Sequence, residues 1–318
     1  MTRREPDIAA SVRQRLLNKA RASGRPFSEL LQYFAMERFL YRLSKSAHAD
    51  KFVLKGALMF TVWHAPETRP TMDIDLLGIT DNSIDAIAVI AQAVCQQDVE
   101  SDGLVFDPGS IEVARIVEDA DYAGVRVRLR GSLGVARIAM QLDIGFGDVV
   151  TPEPETVAYP AILDFPAPAM RGYSRESAIA EKFEAMVKLG VLNSRVKDFF
   201  DIWLLSRQFN FDGRILTQAV ANTFATRGTV MPASPVALTG AFANEPAKQT
   251  QWHGFVRKSR LQTAPASFVE AVEAISGFLG PVAGAIANDV ILDGSWKAPG
   301  PWRGSLPPLQ GEGWGGDG

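Results

Sequence analysis

The sequence predicts a mixed α/β protein in which a central sheet lies between helical segments at the two ends of the chain. Three observations lead to this fold class. Apolar residues recur at helical spacing through 7–47, short apolar and alternating runs follow between 52 and 144, and helical spacing returns after 174. At 318 residues, with 47% apolar and 22% charged residues, the chain is long enough for a sizeable core and for two subdomains.

Charge, cysteine content and hydropathy narrow the classes of protein to which this chain can belong. The formal net charge of −3 argues against a protein that coats a polyanion, although it leaves room for a local basic patch. A single cysteine, Cys95, excludes a disulfide framework and indicates a reducing compartment. The N-terminus has no apolar signal region, and proline and polar residues interrupt the most apolar late segment, 275–292. We therefore expect a cytoplasmic protein without a membrane anchor.

The first 50 residues are expected to form two helices. Apolar residues between 16 and 20, and again between 30 and 40, follow helical spacing. A Gly-Arg-Pro sequence at 24–26 separates the two helices, and Ser28 is the candidate N-cap of the second. These helices are predicted to cover the sheet or to contact a partner.

Two aspartates stand out in the stretch from 52 to 78. In a strand, residues two apart point to the same side, so Asp73 and Asp75 share one face while Ile74 takes the other. Adjacent carboxylates repel, and a divalent cation with oxygen ligands, usually Mg²⁺ with a bound phosphate, relieves that repulsion. The simpler alternative is an exposed acidic pair at the end of a strand.

A corner of small residues precedes the aspartates. Gly56 and Ala57 separate two apolar runs, and a glycine lets the backbone pass close to a ligand. Free backbone N–H groups in such a turn can bind phosphate oxygens. A polar loop containing Arg69 then leads to the aspartates. The corner and the aspartates together predict a site for a metal ion and phosphate.

Three further strands are predicted after a helix at 83–96, namely 111–117, 124–130 and 135–144. In the middle strand Arg126, Arg128 and Arg130 alternate with apolar residues. This alternation is typical of a half-solvated strand, and the competing interpretation is a positive wall for a polyanion such as RNA.

A third acidic residue lies in the last of these strands. Asp143 stands between Leu142 and Ile144, so its carboxylate faces away from whatever these two residues bury. It is the candidate third carboxylate beside the Asp-x-Asp pair, where it can orient a metal or accept the proton of an attacking hydroxyl. Asp148, which follows two glycines, is predicted to be a turn residue.

Beyond a proline-rich segment at 151–168 the pattern becomes helical. Ser174 is expected to cap a helix that carries Glu181 and Lys182 toward its rim and ends at Gly190.

The next helix carries Asp198 and Asp201 on one face, with Arg195 and Lys197 placed to pair with them. A solvated face with ion pairs is the simpler interpretation. Aromatic and aliphatic neighbours instead indicate a largely buried helix, whose carboxylates need partners or a cleft. After 293 the composition shifts to Gly, Pro and Trp, which predicts a disordered tail.

The chain resembles the AbiEii/AbiGii-type nucleotidyltransferase toxin family through five motifs in order: Lys55-Gly56-Ala57, Arg69-Pro70-Thr71, Asp73-Ile74-Asp75, Glu181-Lys182 and Arg195-x-Lys197-Asp198-x-x-Asp201. The resemblance covers about 52–207. It implies a polymerase-β-like nucleotidyltransferase core with a mixed sheet, N-terminal helices and a helical C-terminal subdomain. It also implies Mg²⁺ as cofactor and a nucleoside triphosphate as substrate. Better-studied relatives transfer nucleotides to tRNA ends and block translation, and a cognate antitoxin opposes them.

The resemblance further implies a role for each motif residue. Gly56 and Ala57 would form the phosphate corner with help from Lys55, and Arg69 would be a further nucleotide contact. The metal ligands would be Asp73, Asp75 and Asp143. Lys182 would meet the triphosphate, and Asp198 or Asp201 would close the far wall of the site. Many relatives have Gly-Gly or Gly-Ser at the corner, so here the backbone N–H groups act without a hydroxyl.

The expected domains are N-terminal helices (1–50), a nucleotidyltransferase core (51–168), a helical domain (169–292) and a Gly/Pro-rich tail (293–318). The predicted function is Mg²⁺-dependent transfer of a nucleoside monophosphate to RNA, with the 3′ end of tRNA as the expected acceptor. Two alternatives stay open. One is a catalytically inactive nucleotidyltransferase fold that serves as a binding module in a defence complex. The other is a phosphatase or glycosyltransferase that also uses Asp-x-Asp, although Leu77 stands where an aspartyl phosphatase needs a hydroxyl.

Overall fold

The computed structural model describes residues 7–116 and 124–305. The chain divides into two compact units. The first comprises Met1–Gly147 and Glu155–Tyr173, and the second comprises Asp148–Pro154 and Ser174–Gly318. The expected N-terminal helices therefore belong to the same unit as the sheet.

The first unit is a seven-stranded sheet with helices, with strand order β3-β4-β5-β2-β1-β7-β6. Its helices are α1 (Ile8–Ser23), α2 (Phe27–Lys45), α3 (Leu58–Val62) and α4 (Ile84–Cys95). Its strands are β1 (Phe52–Lys55), β2 (Asp73–Gly78), β3 (Leu104–Ile116), β4 (Gly124–Leu133), β5 (Ala136–Phe146), β6 (Glu155–Ala158) and β7 (Ala169–Gly172). The sheet is mixed, because β2 pairs with β5 and β1 with β7 in parallel, whereas the other neighbours are antiparallel.

One face of this sheet is apolar and carries α2 and α4. Phe39 from α2 and Ile87 from α4 line the same small apolar space as Leu76, Val127 and Leu142 from three strands. Burying one such side chain stabilises the fold by about 1.5–3 kcal/mol. The strand residues that alternate with these apolar ones point to the opposite face, which carries the polar side chains.

A buried ion cluster ties α2 to the start of β3. Asp102 accepts hydrogen bonds from Arg38 Nε at 2.9 Å and from Arg42 Nη1 at 2.7 Å, and all three side chains are nearly or fully buried. Glu37 lies beside them, and its Oε2 accepts a hydrogen bond from Ile162 N–H at 2.7 Å. Burial raises the pKa of Glu37 to about 7, although the Ile162 N–H and Arg38 act in the opposite direction.

Side-chain caps begin several of the helices. Ser83 accepts a hydrogen bond from Ala86 N–H at the start of α4, and Ser174 accepts one from Ser177 N–H in the second unit. The prediction for Ser28 is wrong, because α2 begins two residues earlier than that cap requires, with Pro26 at its N-cap and without a side-chain cap. A proline that ends an extended segment can start a helix without an Ncap side chain, since its φ is already suitable.

The second unit is helical with a small sheet of order β10-β9-β8. Its helices are α5 (Arg175–Leu189), α6 (Val196–Gln208), α7 (Gly213–Thr226), α8 (Gly240–Ala243), α9 (Pro246–Ser259) and α10 (Phe268–Ala287). Its strands are β8 (Phe211–Asp212), β9 (Asp293–Trp296) and β10 (Trp302–Ser305). By length and composition α10 could cross a membrane. Its Ile275, Phe278 and Leu279 are fully buried inside this unit, as in a core helix.

The predicted disordered tail is wrong for residues 293–305. Here β9 and β10 form an antiparallel hairpin, and the indoles of Trp296 and Trp302 are buried against Phe278. Each indole N–H donates to a backbone carbonyl, Trp296 to Ser206 at 2.6 Å and Trp302 to Phe278 at 2.8 Å. Two tryptophans therefore give this glycine-rich segment its buried apolar side chains. Residues 306–318 lie outside the described part of the chain.

Candidate active site

Four charged residues form a row across the polar face of the first unit's sheet. Lys55 pairs with Asp75, Asp75 with Asp143, and Asp143 with Arg126 in the strand register. Laterally paired residues of a sheet point to the same side, so the four side chains lie on one face. Two adjacent carboxylates therefore stand between two cations.

Asp73 lies in the next row of the same face. It pairs with Gln141, which pairs in turn with Arg128. The residue between the two aspartates, Ile74, is fully buried on the other side, whereas both aspartates are partly exposed. The structure thus brings Asp73, Asp75 and Asp143 to one face of adjacent strands, as the alternation predicts.

The corner after β1 packs directly against one of these carboxylates. Gly56 has φ +70°, and a Cβ built on it would overlap the Asp75 carboxylate. Ala57, the other corner residue, is buried and precedes α3. A side chain at 56 is therefore excluded both by the backbone conformation and by the space that Asp75 occupies. The cation of Lys55, just before the corner, lies 5.1 Å from the ring centre of Tyr173.

Arg126 holds the third carboxylate. Its Nε lies 2.7 Å from Asp143 Oδ1, and its Nη2 lies 2.8 Å from Oδ2, so the pairing is bidentate. Gln141 Nε2 also approaches Oδ2, at 3.4 Å. The sequence interpretation missed this pair, because it treated Arg126 as one of three similar arginines. The tight connection between β4 and β5 would have revealed it, since a hairpin fixes which residues stand opposite each other.

Two residues of α2 hold the segment that leads into Asp73. Gln32 Nε2 donates to the carbonyls of Met72 at 3.3 Å and Ala139 at 3.1 Å. The Tyr33 hydroxyl accepts a hydrogen bond from Thr71 N–H at 3.0 Å. Burial raises the pKa of Tyr33, although the Thr71 N–H and the nearby charge of half-buried Arg69 oppose it. Gln32 and Tyr33 are positioning residues that the sequence interpretation did not identify.

The donor set fits a hard divalent cation in part. The carboxylates of Asp73 and Asp75 are the oxygen ligands that Mg²⁺ prefers, and they share one partly exposed face. Both oxygens of Asp143 already accept hydrogen bonds from Arg126. Within 7–116 and 124–305, no group of three or more His, Cys, Asp or Glu side chains converges closely enough to hold an ion. A two-carboxylate site, completed by water and phosphate oxygens, is the arrangement that these residues fit.

The predicted residues of the second unit form a buried ion cluster. Lys182 Nζ on α5 lies 3.0 Å from Asp198 Oδ1 and 2.8 Å from Asp201 Oδ2 on α6. Arg195 Nε lies 2.8 Å from Asp198 Oδ2, as its i, i+3 spacing predicts. The two acid side chains are only 2% and 1% exposed, which confirms that they are buried and need partners. Burial by itself would raise the pKa of Asp198, but Lys182 and Arg195 outweigh it and lower that pKa.

A second ion cluster of this unit was not expected. Arg227 on α7 pairs with Asp148 at 2.9 Å and with Glu184 at 2.8 Å, and its Nη2 lies 3.6 Å from Glu181. Asp148 is only 3% exposed, so it is more than the turn residue that its glycine-rich context suggested. The three acids raise the pKa of Arg227 above its usual range, although burial opposes them.

Comparison with known proteins decides the family. The model of the family described as nucleotidyl transferase AbiEii toxin, type IV TA system, matches residues 38–274, which is most of the chain. The chain belongs to this family. It is therefore a nucleotidyltransferase of the type IV toxin–antitoxin class, and both the expected family and the fold class are confirmed. Family membership also implies an antitoxin partner and a nucleotide substrate.

Two crystal structures from Helicobacter pylori resemble this AbiEii family member. One is a candidate nucleotidyltransferase, 14% identical, with a TM-score of 0.44, covering 82% of this chain and 96% of its own. The other is JHP933, 14% identical, with a TM-score of 0.45, covering 82% of this chain and 93% of its own. No curated protein matches the sequence at a significant level.

Proposed function

We propose that this AbiEii family member uses Mg²⁺ to transfer a nucleoside monophosphate from a nucleoside triphosphate to an RNA hydroxyl, with the 3′ end of tRNA as the expected acceptor. The observation that carries the proposal is the placement of Asp73, Asp75 and Asp143 on one sheet face with a glycine corner against Asp75. These substrates also imply a cytoplasmic setting.

Asp73 and Asp75 are the proposed metal ligands. Mg²⁺ usually keeps several waters and binds through one or two carboxylates plus substrate phosphates, which matches a pair of partly exposed aspartates. When bound, the ion would neutralise charge on the phosphates as the new bond forms. Asp143 is the proposed third acid, and direct ligation by it requires Arg126 to release one of its two oxygens.

The corner after β1 is the proposed phosphate grip. Gly56 brings the backbone against Asp75, so a phosphate bound to the N–H groups around Gly56 and Ala57 would lie next to the metal ligands. Lys55 pairs with Asp75 across the strands and adds a positive charge on the same side. Arg69, whose charge reaches Tyr33, is a further predicted nucleotide contact.

The contribution of the second unit stays a prediction from the family resemblance. Lys182 is the predicted contact to the triphosphate, and within its own unit Asp198 and Asp201 fix the position of its ammonium group. A lysine with both acids buried beside it has few alternative rotamers, so it is pre-organised for one position.

In the proposed reaction the RNA hydroxyl attacks the α-phosphorus of the triphosphate. The bond between that phosphorus and the oxygen leading to the β-phosphate breaks, and pyrophosphate leaves. The proton of the attacking hydroxyl passes to a carboxylate, for which Asp143 is the candidate. The residues of the chain act mainly by holding both substrates in line and by balancing charge.

Incorporation of labelled nucleotide tests this function. Purified protein is incubated with total tRNA, MgCl₂ and each α-labelled triphosphate in turn, and the RNA is resolved on a gel. We expect one or more nucleotides to label the RNA, and Asp75→Ala to abolish labelling while the protein stays folded by circular dichroism. Asp98→Asn, which removes an exposed loop carboxylate, serves as the matched control.

Two outcomes would overturn the assignment. Labelling by Asp75→Ala at the wild-type rate would show that this carboxylate is not needed for transfer. No labelling by the wild-type protein with any nucleotide would favour the alternative of a catalytically inactive binding module.

A further inference from the structure

A surface cavity lies beside Asp73 on the polar face of the first unit's sheet. Its volume is about 270 Å³. Its lining combines apolar residues with polar and charged ones, among them Asp73, Ser110, Glu112, Arg128, Arg130 and Gln141. The cavity therefore joins one proposed metal ligand to two arginines that the proposed reaction does not yet use.

A bulge in β3 coincides with this cavity. The register of β3 against β4 shifts between Asp107 and Glu112, which interrupts the pairing at the sheet edge. Ser110 lies within the interrupted segment, where its Oγ donates to Asp107 O at 2.7 Å and accepts from Arg130 N–H at 2.8 Å. The bulge thus adds a fixed hydroxyl to the wall that carries Arg130.

The two arginines form a short strip beside two acids of β3, since Glu112 pairs with Arg128 and Asp107 with Arg130 in the strand register. Arg128 and Arg130 are two residues apart on β4, so they point to the same side about 6.8 Å apart along the strand. Both are exposed, unlike Arg126, which Asp143 holds. The contact between Arg128 Nε and Gln141 Oε1 is long, at 3.4 Å, and uses only one of five guanidinium donors. Such guanidinium groups are suited to phosphate oxygens.

The cavity and the corner lie on different sides of the proposed metal ligands, which gives the two substrates separate places to bind. The corner follows β1, on one side of β2, whereas the cavity lies over β5, β4 and β3 on the other side. Asp73 and Asp75 stand between them on β2. A transferase must bring its donor and its acceptor to the metal-binding acids from different sides. With the triphosphate at the corner, the cavity is the side from which the attacking hydroxyl approaches.

We infer that the cavity binds the terminal phosphodiester of a single-stranded RNA acceptor, with Arg128 and Arg130 as its contacts. The inference rests on the proposed transfer reaction and assigns it an acceptor site. Contacts to phosphate position a nucleic acid without reading its sequence. The volume is slightly below the range of about 300–1,000 Å³ for pockets that enclose whole ligands, which suits one unit of a longer chain.

Direct binding of RNA tests the acceptor site. The affinity of a 5′-fluorescein-labelled single-stranded oligoribonucleotide is measured by anisotropy, without triphosphate or metal, for full-length wild type and the Arg128→Gln, Arg130→Gln and double variants. We expect the double variant to bind about tenfold more weakly. Its slope of log affinity against log salt should fall by about 1.4, or about 0.7 per lost phosphate contact.

Arg115→Gln is the matched control. Arg115 is an exposed arginine of β3 that pairs with Val125, so it points to the opposite, helix-covered side of the sheet. Steady-state transfer supplies a second readout, in which the KM for RNA should rise in the double variant while the KM for the triphosphate stays within about twofold of wild type.

The outcomes separate the acceptor site from the proposed function. RNA binding by the double variant within about twofold of Arg115→Gln would overturn the acceptor site, even if the wild type labels RNA. A rise in the KM for the triphosphate equal to the rise in the KM for RNA would assign the cavity to the donor nucleotide. It would also overturn the acceptor site. Absence of labelling by the wild type refutes the transfer function, whereas the anisotropy series still decides whether the cavity binds RNA.

Discussion

The Asp143–Arg126 pair of the first unit and the Lys182 cluster of the second unit differ in burial. In the first unit Asp143 is 21% exposed and its partner Arg126 is 27% exposed. In the second unit Asp198 and Asp201 are 2% and 1% exposed, and Lys182 is 14% exposed. Both carboxylates of the second cluster are enclosed by protein, whereas the first cluster and the lysine of the second keep part of their surface exposed.

The difference in burial predicts how much each cluster contributes to the stability of the fold. A partly exposed ion pair contributes little to stability, so its carboxylates can exchange one partner for another at small cost. A buried pair is costly to break, because removal of one partner leaves a charge without compensation. We therefore expect substitutions in the row of Asp75 and Asp143 to change activity first, and substitutions around Lys182 to change stability first.

The largest expected effect comes from breaking the buried cluster. Lys182→Met removes the cation that lies between buried Asp198 and Asp201, and should lower the free energy of unfolding by about 3–5 kcal/mol. Urea denaturation followed by circular dichroism measures the loss. Lys197→Met removes an exposed charge from the same helix and should change stability by less than about 0.5 kcal/mol. Equal losses in the two variants would contradict the comparison.

Glu37 extends the comparison to a buried acid of the first unit, whose cationic neighbour Arg38 also pairs with Asp102. Its Oε1 lies 3.5 Å from Arg38 Nη1, while Arg38 Nε already binds Asp102. The pKa of Glu37 is raised to about 7, whereas the pKa of Asp198 is lowered. A raised acid pKa means that the folded state binds the proton more tightly than the unfolded state. The stabilisation is therefore complete below the unfolded pKa and is lost as the pH rises through about 7.

Glu37→Gln should reveal this dependence. Relative to the variant, the wild type should lose about 2–3 kcal/mol of unfolding free energy between pH 4.5 and pH 8.5. Taking the difference between the two proteins cancels the titration of all other groups. For Asp198 the sign is opposite, since its stabilisation is present above its unfolded pKa and disappears in acid. A difference between wild type and Glu37→Gln that is constant with pH would refute the raised pKa.

The corner glycine gives an intermediate effect. Gly56→Ala forces a side chain into a left-handed conformation and against the Asp75 carboxylate, and should cost about 1–3 kcal/mol together with most of the transfer activity. Gly24→Ala is the matched control, because Gly24 has nearly the same φ, +68°, with nothing within 4 Å of the added Cβ. The difference between the two unfolding free energies isolates the overlap with Asp75. If Gly56→Ala costs no more than Gly24→Ala and remains active, the corner does not depend on that contact.

The comparison also explains how far the sequence predicts the site. Period-two alternation is local, so it places Asp73 and Asp75 correctly on one face. The partner of Asp143 depends on strand register, which alternation does not specify. The Asp148–Arg227 pair joins residues 79 positions apart, and no local pattern connects them. Likewise, Trp296 and Trp302 are buried against Phe278, which lies outside their own segment, so the composition of that segment suggests disorder.

The smallest change in stability, and the sharpest test of the first cluster, is expected from Arg126→Gln. The lost pair is partly exposed, so the unfolding free energy should fall by no more than about 1 kcal/mol. The substitution removes the cation from both oxygens of Asp143 and leaves two carboxylates side by side, with Lys55 at the far end of the row. Their repulsion should then be relieved by a divalent ion, so the MgCl₂ concentration for half-maximal transfer should fall several-fold. Terbium luminescence supplies a readout that does not depend on activity, and Arg115→Gln, an exposed arginine on the other side of the sheet, is the control. Weaker terbium binding by Arg126→Gln would show that Asp143 needs its arginine to keep its orientation. Asp143 would then act as a positioning residue, because a carboxylate that loses its orientation cannot be the ligand that the cation requires.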